Sequence, residues 1–421
     1  MVIFSRSTAF SRVTTLAARR PVHAAFAWMH NNPQIIMDWQ SNLAAIPAPP
    51  FGEQARSEWV AARFNEIGLT DVQLDGVGNV IGIVRAADLP ADSSGPVVAL
   101  SAHIDTVFPA DTPLNPTVKR TNGNLRLDAP GACDNCAGVA GMLAIVQALI
   151  HAGVQLAVPL VVLANVGEEG EGDLRGVRHF YDHSPLANRT AAHVVLDGAG
   201  ADSAVTQALG SRRFQITISG PGGHSFTDAG TPNPIAALAA ALAVLAETSL
   251  PEDPRTTLNL GTIHGGTSVN SIPESATASV DFRSTSPNEL LRLEVALHRA
   301  VEDAIEHANS LAKTFRSRGP LSFDIERIGD RPAAHLPADS PVLETLRSVD
   351  RHLGLRTDLR LGSTDANIPI ARGVPALSLG AGGEGGGAHT LAEWYSDKDR
   401  EIGLRRIMLL TLAIAEWAAE Q

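Results

Sequence analysis

Two adjacent carboxylates, Glu168 and Glu169, lie in a glycine-rich segment that directly follows the apolar run of residues 160–164. A short apolar run before glycines predicts a buried strand that ends in a turn. Neighbouring side chains at a strand end point in different directions, so one carboxylate can bind a metal ion while the other transfers a proton. On this segment alone, a solvated acidic loop is an open alternative, because Glu171 and Asp173 follow.

Histidines and carboxylates recur where other strands are predicted to end or a helix to begin: His103, Asp105, Asp134, Asp197 and His389. Any one of them alone is more often a structural or turn residue. Active sites of open α/β sheets, however, lie at the carboxyl ends of the strands. Imidazole and carboxylate ligands together suit Zn²⁺, Mn²⁺ or Co²⁺, and two such ions need a bridging carboxylate. The joint pattern therefore indicates a metal site.

The elements that must position these residues alternate between helices and strands. Apolar periodicity predicts helices at 33–46, 53–67, 136–151 and 176–182. Short apolar or alternating runs predict strands at 71–75, 80–85, 96–102, 156–164 and 193–196. This alternation predicts an α/β fold with a mostly parallel sheet.

The pattern changes near Gly210. A βαββαβ order follows, with elements at 212–220, 234–248, 256–264, 275–283, 287–311 and 321–327. That order is typical of a ferredoxin-like α+β sandwich. The α/β character resumes with elements at 341–353, 357–361, 375–379 and 401–420. We therefore predict a leader of unknown role at 1–30, a catalytic domain at 31–210 and 332–421, and an inserted domain at 211–331.

The composition excludes several classes of binding partner. The 421 residues carry a net charge of −12, which argues against nucleic acid or an anionic membrane as the main partner. No uninterrupted apolar run reaches the roughly 18 residues of a membrane span. The two cysteines, Cys133 and Cys136, exclude a four-cysteine zinc site, and we interpret them as small packing residues in a reducing compartment. A redox pair and thiolate ligation are the weaker alternatives.

The N-terminus is unusual because residues 1–37 contain arginines but no acidic residue. This composition resembles that of a transit peptide, and a disordered leader or an over-extended start is also possible. We expect a cytoplasmic protein, with organelle targeting left open.

The order of the motifs resembles that of the M20 family of dinuclear metallopeptidases and amidohydrolases. That family includes tripeptide aminopeptidase, glutamate carboxypeptidase, acetylornithine deacetylase and aminoacylase-like enzymes. The matching motifs are H-x-D at 103–105, G-x-x-D-x-x-x-G at 131–138, G-E-E at 167–169, D-G at 197–198 and the late histidine, His389. The resemblance spans roughly residues 30–421, and the inserted domain stands where the family has its lid or dimerisation domain.

The resemblance implies two divalent metal ions, with zinc favoured and manganese or cobalt also suited. Asp134 would bridge the two ions. His103 and Asp197 would complete one metal site, and Glu169 and His389 would complete the other.

Two further residues would take part in catalysis. Asp105 would hold the imidazole of His103 and fix its tautomer. Glu168 would be the general base, which takes a proton from a water held by the metals and passes it to the leaving amine.

The inserted domain would supply substrate-binding residues. The resemblance implies that His224 stabilises the oxyanion, in some relatives across a dimer interface, and that Asn270 and Arg283 bind a substrate carboxylate. The structural alternatives are a turn histidine, a turn asparagine and a surface salt bridge. The loop 362–365 is a further candidate for substrate contact, and a homodimer through the inserted domain is expected.

We therefore predict a hydrolase that cleaves an amide bond in a short peptide or a related substrate with a free carboxylate. An N-acyl amino acid deacylase is the alternative, although Asn135 after the bridging Asp134, and Asp197 in place of glutamate, resemble the peptidase branch. A non-catalytic metal-binding protein is a remote alternative, because Glu168 and every ligand are present. The G-x-G-x-x-G match at 380–385 does not indicate a dinucleotide site, since no helix and second strand follow it.

Overall fold

The computed structural model describes residues 8–86, 94–312 and 317–421. Residues 1–7, the start of the predicted leader, lie outside this part of the chain. The chain divides into two compact units. The first unit is Met1–Ala208 with His335–Gln421, and the second unit is Leu209–Ala334.

A mixed sheet lies at the centre of the first unit. In spatial order its strands are Thr70–Leu74, Val80–Val84, Leu160–Asn165, Val97–His103, Thr190–Leu196, Ala376–Leu379, Ser203–Ala208 and Ala334–His335, with Asp358–Gly362 beside Ser203–Ala208. The four strands from Leu160–Asn165 to Ala376–Leu379 are parallel, whereas the first two form an antiparallel hairpin. The predicted α/β class is confirmed, and the short link after Leu74 explains the antiparallel edge, because parallel strands need a long crossover.

Helices cover this sheet: Ala9–Ala17, Arg20–Asn31, Pro33–Ala44, Gln54–Ile67, Cys136–His151, Arg175–His183, Pro341–Leu353, Asn367–Ala371 and Arg400–Ala419. Cys136–His151 is apolar on nearly every side and is buried over most of its length. A helix of that composition is stable only inside a core, which is where this one lies. No helix among the described residues has both the length and the apolar character needed to cross a membrane.

Residues 9–31, most of which fall within the predicted leader 1–30, are helical over most of their length. They form two helices whose apolar faces, including Val13, Val22 and Met29, are buried in the core of the first unit. Arg20–Asn31 contacts Cys136–His151, and Ala9–Ala17 contacts Pro341–Leu353 and Arg400–Ala419. The basic, acid-free composition of residues 9–31 therefore belongs to two amphipathic helices of the fold. The alternative of a disordered leader does not apply to these residues.

The second unit is a four-stranded antiparallel sheet in the order Thr256–Gly265, Ser275–Ser284, Gly210–Ser219 and Ser322–Arg331. Two helices, Pro234–Ala246 and Pro287–Ser310, pack on it around a core of its own that includes Phe214, Phe282 and Leu297. The strand order and the βαββαβ sequence are those of the predicted ferredoxin-like sandwich.

A small sheet in the first unit was not predicted. It pairs Glu384–Gly386, Trp394–Ser396, Asn124–Asp128 and Thr117–Thr121. These strands are short and rich in polar residues or glycine, so they carry little apolar signal. The loop between the first two strands contains His389, so this sheet positions one end of the candidate site.

Candidate active site

Three strand ends bring most of the candidate residues together. His103 is the last residue of its strand, Glu168 and Glu169 follow Leu160–Asn165, and Asp197 follows Thr190–Leu196. The three strands are parallel neighbours. Their carboxyl ends therefore lie at one edge of the sheet, as an open α/β fold places its active site.

Asp134 lies between two histidines. Its Oδ1 is 3.1 Å from Nε2 of His103, and its Oδ2 is 3.0 Å from Nε2 of His389. Each oxygen of one carboxylate thus faces a different imidazole. This is the arrangement that a carboxylate needs in order to bridge two cations.

Two more carboxylates extend this arrangement. Asp197 Oδ1 is 3.8 Å from Nε2 of His103, and Glu169 Oε1 is 3.1 Å from Nε2 of His389. Ligand atoms lie within 4.8 Å of one another in three groups of residues: His103, Asp134 and Asp197; Asp134, Glu169 and His389; and His103, Glu168 and Glu169. The first two groups are the ligand sets that the sequence resemblance implies, and the third places Glu168 beside them.

Asp105 supports both the imidazole and the glutamate turn. Its carboxylate accepts the backbone N–H groups of Glu168 at 2.9 Å and Glu169 at 2.8 Å, and its Oδ1 is 3.5 Å from Nδ1 of His103. Burial opposes ionisation, but the imidazole and the two N–H groups together hold the pKa of Asp105 below its ordinary value. The fixed carboxylate leaves Nε2 of His103 facing Asp134.

The charges of the site favour cations. The hydrogen bond to Asp134, against partial burial, raises the pKa of His389 to about 9. Burial opposes a charge on His103, yet Asp105, Asp134 and Asp197 raise its pKa well above the ordinary value. Burial, together with the charge of Asp134, raises the pKa of Glu169 to about 7. An excess of carboxylates therefore stabilises positive charge at this position.

The donor set fits divalent metal ions. Asp134 Oδ1 is buried and lies 3.1 Å from Nε2 of His103, but it makes no well-aligned hydrogen bond among the described residues. A buried acceptor in this state costs free energy unless another group satisfies it. A cation between Asp134 and His103 would use this oxygen, and imidazole with carboxylate is a ligand combination found for Zn²⁺, Mn²⁺ and Co²⁺.

Glu393 supports the Asp134 loop, and sequence reasoning missed it. Its Oε2 accepts the N–H of Gly131 at 2.9 Å, and its Oε1 accepts the N–H groups of Cys133 and Asp134 at 2.8 Å each. Only 1% of Glu393 is exposed. No local signal marks this glutamate, because its partners lie about 260 residues earlier in the chain.

Asn135 joins the same loop to the Asp197 strand. Its Oδ1 accepts the N–H groups of Gly138 at 3.1 Å and Gly198 at 3.0 Å, while its Nδ2 donates to the carbonyl of Leu196 at 2.9 Å. The peptide between Asp134 and Asn135 is cis. An asparagine directly before a helix is a typical N-cap, which is the sequence signal that could have identified it.

The loop 362–365, the further candidate for substrate contact, directs its last residue into the first unit. Thr364 and Asp365 are buried. Asn165 donates to Asp365 at 2.7 Å, and burial raises the pKa of Asp365 to about 7. Asn165 ends the strand that leads to Glu168, so this pair supports the site from within the first unit.

The residues predicted in the second unit do not form one cluster. His224 and Asn270 are exposed at the same corner, where Gly223–His224 pairs with Ser271–Ile272. Arg283 lies near the other end of Ser275–Ser284 and donates to Asp281 at 2.7 Å. Because a strand rises about 3.3 Å per residue, roughly 25 Å separates Arg283 from the His224 corner.

The comparisons with known proteins agree with this geometry. The model of peptidase family M20/M25/M40 matches residues 99–413. A tripeptidase from Staphylococcus aureus superposes with a TM-score of 0.70 at 23% identity, covering 93% of this chain and 99% of that one. A dinuclear metal-binding M20 peptidase from Bacillus subtilis gives 0.60 at 16% identity, covering 91% and 98%. At these identities the similarity to solved structures establishes the fold.

The curated relatives are named as probable carboxypeptidases. The protein from Ajellomyces dermatitidis is 29% identical over 261 residues, which cover 56% of this chain and 57% of the relative. The protein from Aspergillus clavatus is 30% identical over 270 residues, which cover 60% and 58%. The chain thus spans less than two thirds of the length of these relatives.

Proposed function

Because the chain belongs to peptidase family M20/M25/M40, we propose that it hydrolyses the amide bond of a short peptide or a related substrate with a free carboxylate. The observation that carries the proposal is the carboxylate of Asp134, whose two oxygens face His103 and His389. This arrangement suits two cations held side by side, and the neighbouring Glu168 adds a carboxylate for proton transfer.

Two divalent metal ions, zinc first and manganese or cobalt next, fit the donor set. Asp134 would bridge them, with His103 and Asp197 on one ion and Glu169 and His389 on the other. Bound ions of this kind polarise a carbonyl group and lower the pKa of a water molecule to about 7.

Glu168 is the proposed general base. Its side chain is buried beside His103 and Glu169, and its backbone N–H is fixed by Asp105. From this position its carboxylate takes a proton from the attacking water and gives it to the leaving amine. Asp105 is the positioning residue, because its two oxygens accept the N–H groups of the glutamate turn and its Oδ1 lies 3.5 Å from Nδ1 of the His103 imidazole.

His224 is proposed to stabilise the oxyanion of the tetrahedral intermediate. Its Nδ1 accepts the backbone N–H groups of Phe226 at 3.2 Å and Thr227 at 3.3 Å. Because Nδ1 is the accepting nitrogen, an N–H at Nε2 is available to a developing negative charge.

Arg283 is proposed to bind the substrate carboxylate together with Asn270, which lies beside His224. Because roughly 25 Å separates Arg283 from the His224 corner, a short peptide cannot reach both within one chain. A homodimer through the second unit, with His224 and Asn270 serving the partner's substrate, resolves this separation. Light scattering that gives a monomer at the assay concentration would contradict this part of the proposal.

The deacylase alternative differs in the acyl group that is removed. The test is a hydrolysis screen of metal-reconstituted protein against dipeptides, tripeptides, N-acetyl amino acids and C-terminally blocked versions of each. Release from peptides supports the peptidase, and the blocked series shows which terminus is bound. Release from N-acyl amino acids alone would move the protein to the deacylase class. No turnover with two metal ions bound would favour a non-catalytic binding protein.

A further inference from the structure

Phe51 is an exposed aromatic residue in a strained backbone conformation. Its side chain is 68% exposed, and its φ is 69°. The left-handed region is unfavourable for a bulky side chain, whereas glycine adopts it without strain. An exposed ring gains little from burial, and strain of this kind is characteristic of functional sites. Folding stability therefore does not explain the phenylalanine at this position.

A fixed cation holds the ring. The guanidinium carbon of Arg175 lies 4.8 Å from the centroid of the Phe51 ring. Arg175 is itself fixed, because Nη2 donates to Glu53 at 2.6 Å and Nη1 donates to the carbonyl of Val77 at 2.9 Å. Glu53 is almost fully buried, so it anchors the cation firmly. A cation beside the ring keeps it in place while most of its surface stays open.

Contacts of Arg175 and of Ala48 connect the surroundings of Phe51 to the two segments that carry Glu168 and Asp105. The backbone N–H of Arg175 donates to Gly167 at 3.1 Å, and its Cγ is 2.5 Å from the position that a Cβ on Gly167 would take. Gly167 directly precedes Glu168. On the other side of the loop, Ala48 accepts the N–H of Thr106, the residue after Asp105, at 2.9 Å.

We propose that Phe51 is a specificity residue, whose ring receives a large apolar side chain of the substrate beside the scissile amide. The proposal rests on the amide hydrolysis proposed above and names a substrate class for it. A leucine or phenylalanine side chain on the open ring would remove apolar surface of both groups from water. The charge of Arg175 is balanced by Glu53, so the subsite offers no net charge to an acidic or basic side chain.

The test compares Phe51→Gly and Phe51→Leu with the wild type on substrates that carry glycine, alanine, leucine or phenylalanine at one position. Phe51→Gly is expected to lower the leucine-to-glycine ratio of kcat/KM about tenfold, mainly through KM. Phe51→Leu keeps an apolar surface and should retain most of the preference. Since glycine accepts the φ of this position, the melting temperature of Phe51→Gly should equal or exceed that of the wild type.

Leu74→Ala is the matched control, because Leu74 is also an exposed apolar residue of the first unit but lies on the edge hairpin. Its selectivity should be that of the wild type. An equal loss for all substrates in Phe51→Gly would overturn the proposal and leave the ring as a support for Arg175. An unchanged ratio would overturn it as well.

Failure of the proposed function gives a different result. If the wild type cleaves no substrate, calorimetry of the same compounds on metal-loaded Glu168→Gln protein still tests the subsite. Tighter binding of the leucine and phenylalanine compounds that Phe51→Gly removes would support the role of Phe51. Equal binding of all compounds would overturn it.

Discussion

The histidines of the two units lie in opposite environments. His103 is buried, and Asp105, Asp134 and Asp197 surround it. His224 is exposed, and the contacts of its ring go to its own turn. The first unit thus presents a site whose side chains are fixed before substrate arrives. The second unit presents an exposed imidazole, the proposed oxyanion donor, whose surroundings a substrate or a partner would complete.

This difference has energetic consequences. Buried and mutually hydrogen-bonded groups lose little freedom when a ligand binds, so their geometry is preorganised. Exposed groups on a turn are fixed only in the complex. Substitutions in the first unit should therefore damage metal binding or chemistry, whereas those in the second unit should damage substrate turnover and leave the metals in place.

Glu168→Gln is expected to have the largest effect. The amide cannot take up the proton, so kcat should fall by about 10²–10⁴-fold while metal content and folding are unchanged. Rapid-quench or steady-state rates with metal analysis measure both. The matched control is Glu171→Gln, since Glu171 is exposed in the same turn and should keep the wild-type rate. A normal rate for Glu168→Gln would exclude Glu168 as the base.

His224→Ala tests the exposed corner. Loss of an oxyanion donor should lower kcat by about 10²–10³-fold for every substrate and leave both metal ions bound.

Arg283→Ala should instead raise KM for substrates with a free carboxylate and leave KM for C-terminally amidated substrates unchanged.

Mixing two inactive variants sharpens this prediction. If His224 acts on the partner's substrate, a mixture of His224→Ala and Glu168→Gln protein should regain a fraction of the wild-type rate, because one mixed site is complete. No recovery in a stable mixed dimer would place His224 at the site of its own chain. For Arg283→Ala, equal losses of activity on amidated and free-carboxylate substrates would show that Arg283 has a structural role in the sheet, where it pairs with Asp281.

Glu393→Gln tests a buried positioning residue of the first unit. The amide cannot accept three backbone N–H groups as the carboxylate does, so the Asp134 loop should loosen. We expect metal affinity to fall by about 10–100-fold, measured by competition with a chelating dye. Glu384→Gln is the control, because Glu384 is an exposed residue of the small sheet whose strand Trp394–Ser396 directly follows Glu393. Unchanged affinity would show that the loop holds its geometry without Glu393.

For His193 we expect a smaller effect, which is a pH dependence of the folding stability. It is buried between Tyr181 and Ser101, and burial lowers its pKa to about 3. The folded state therefore keeps the ring neutral, while the unfolded chain takes up a proton below pH 6.5. The contribution of His193 to the free energy of unfolding is fully present above pH 6.5. It should fall by roughly 1.4 kcal/mol per pH unit as the pH drops toward 3.

His193→Gln provides the measurement. Glutamine does not titrate, so the variant should lose less stability than the wild type between pH 7 and pH 5 in urea unfolding. The difference between the two proteins cancels the pH dependence of the metal ligands, which both share. Parallel pH profiles would show that His193 does not contribute this dependence.

The sequence by itself determined the elements and most of the residues near the candidate site. Apolar runs fixed the strands that end at His103, Glu168 and Asp197, because burial of a strand is written in its local composition. The same local signals gave the ferredoxin-like order of the second unit and the helix Cys136–His151. Residues that follow such strands are therefore predictable as neighbours once the strands are parallel.

Only the tertiary structure decided which distant groups support these residues. Glu393 reaches the Asp134 loop, and Asp365 reaches Asn165, across roughly two hundred residues or more of chain, and no local pattern encodes such contacts. It also decided that residues 9–31 pack into the core and that Arg283 lies far from His224. The physical reason is that periodicity reports which face of an element is buried, whereas the partner on that face is set by how the whole chain packs.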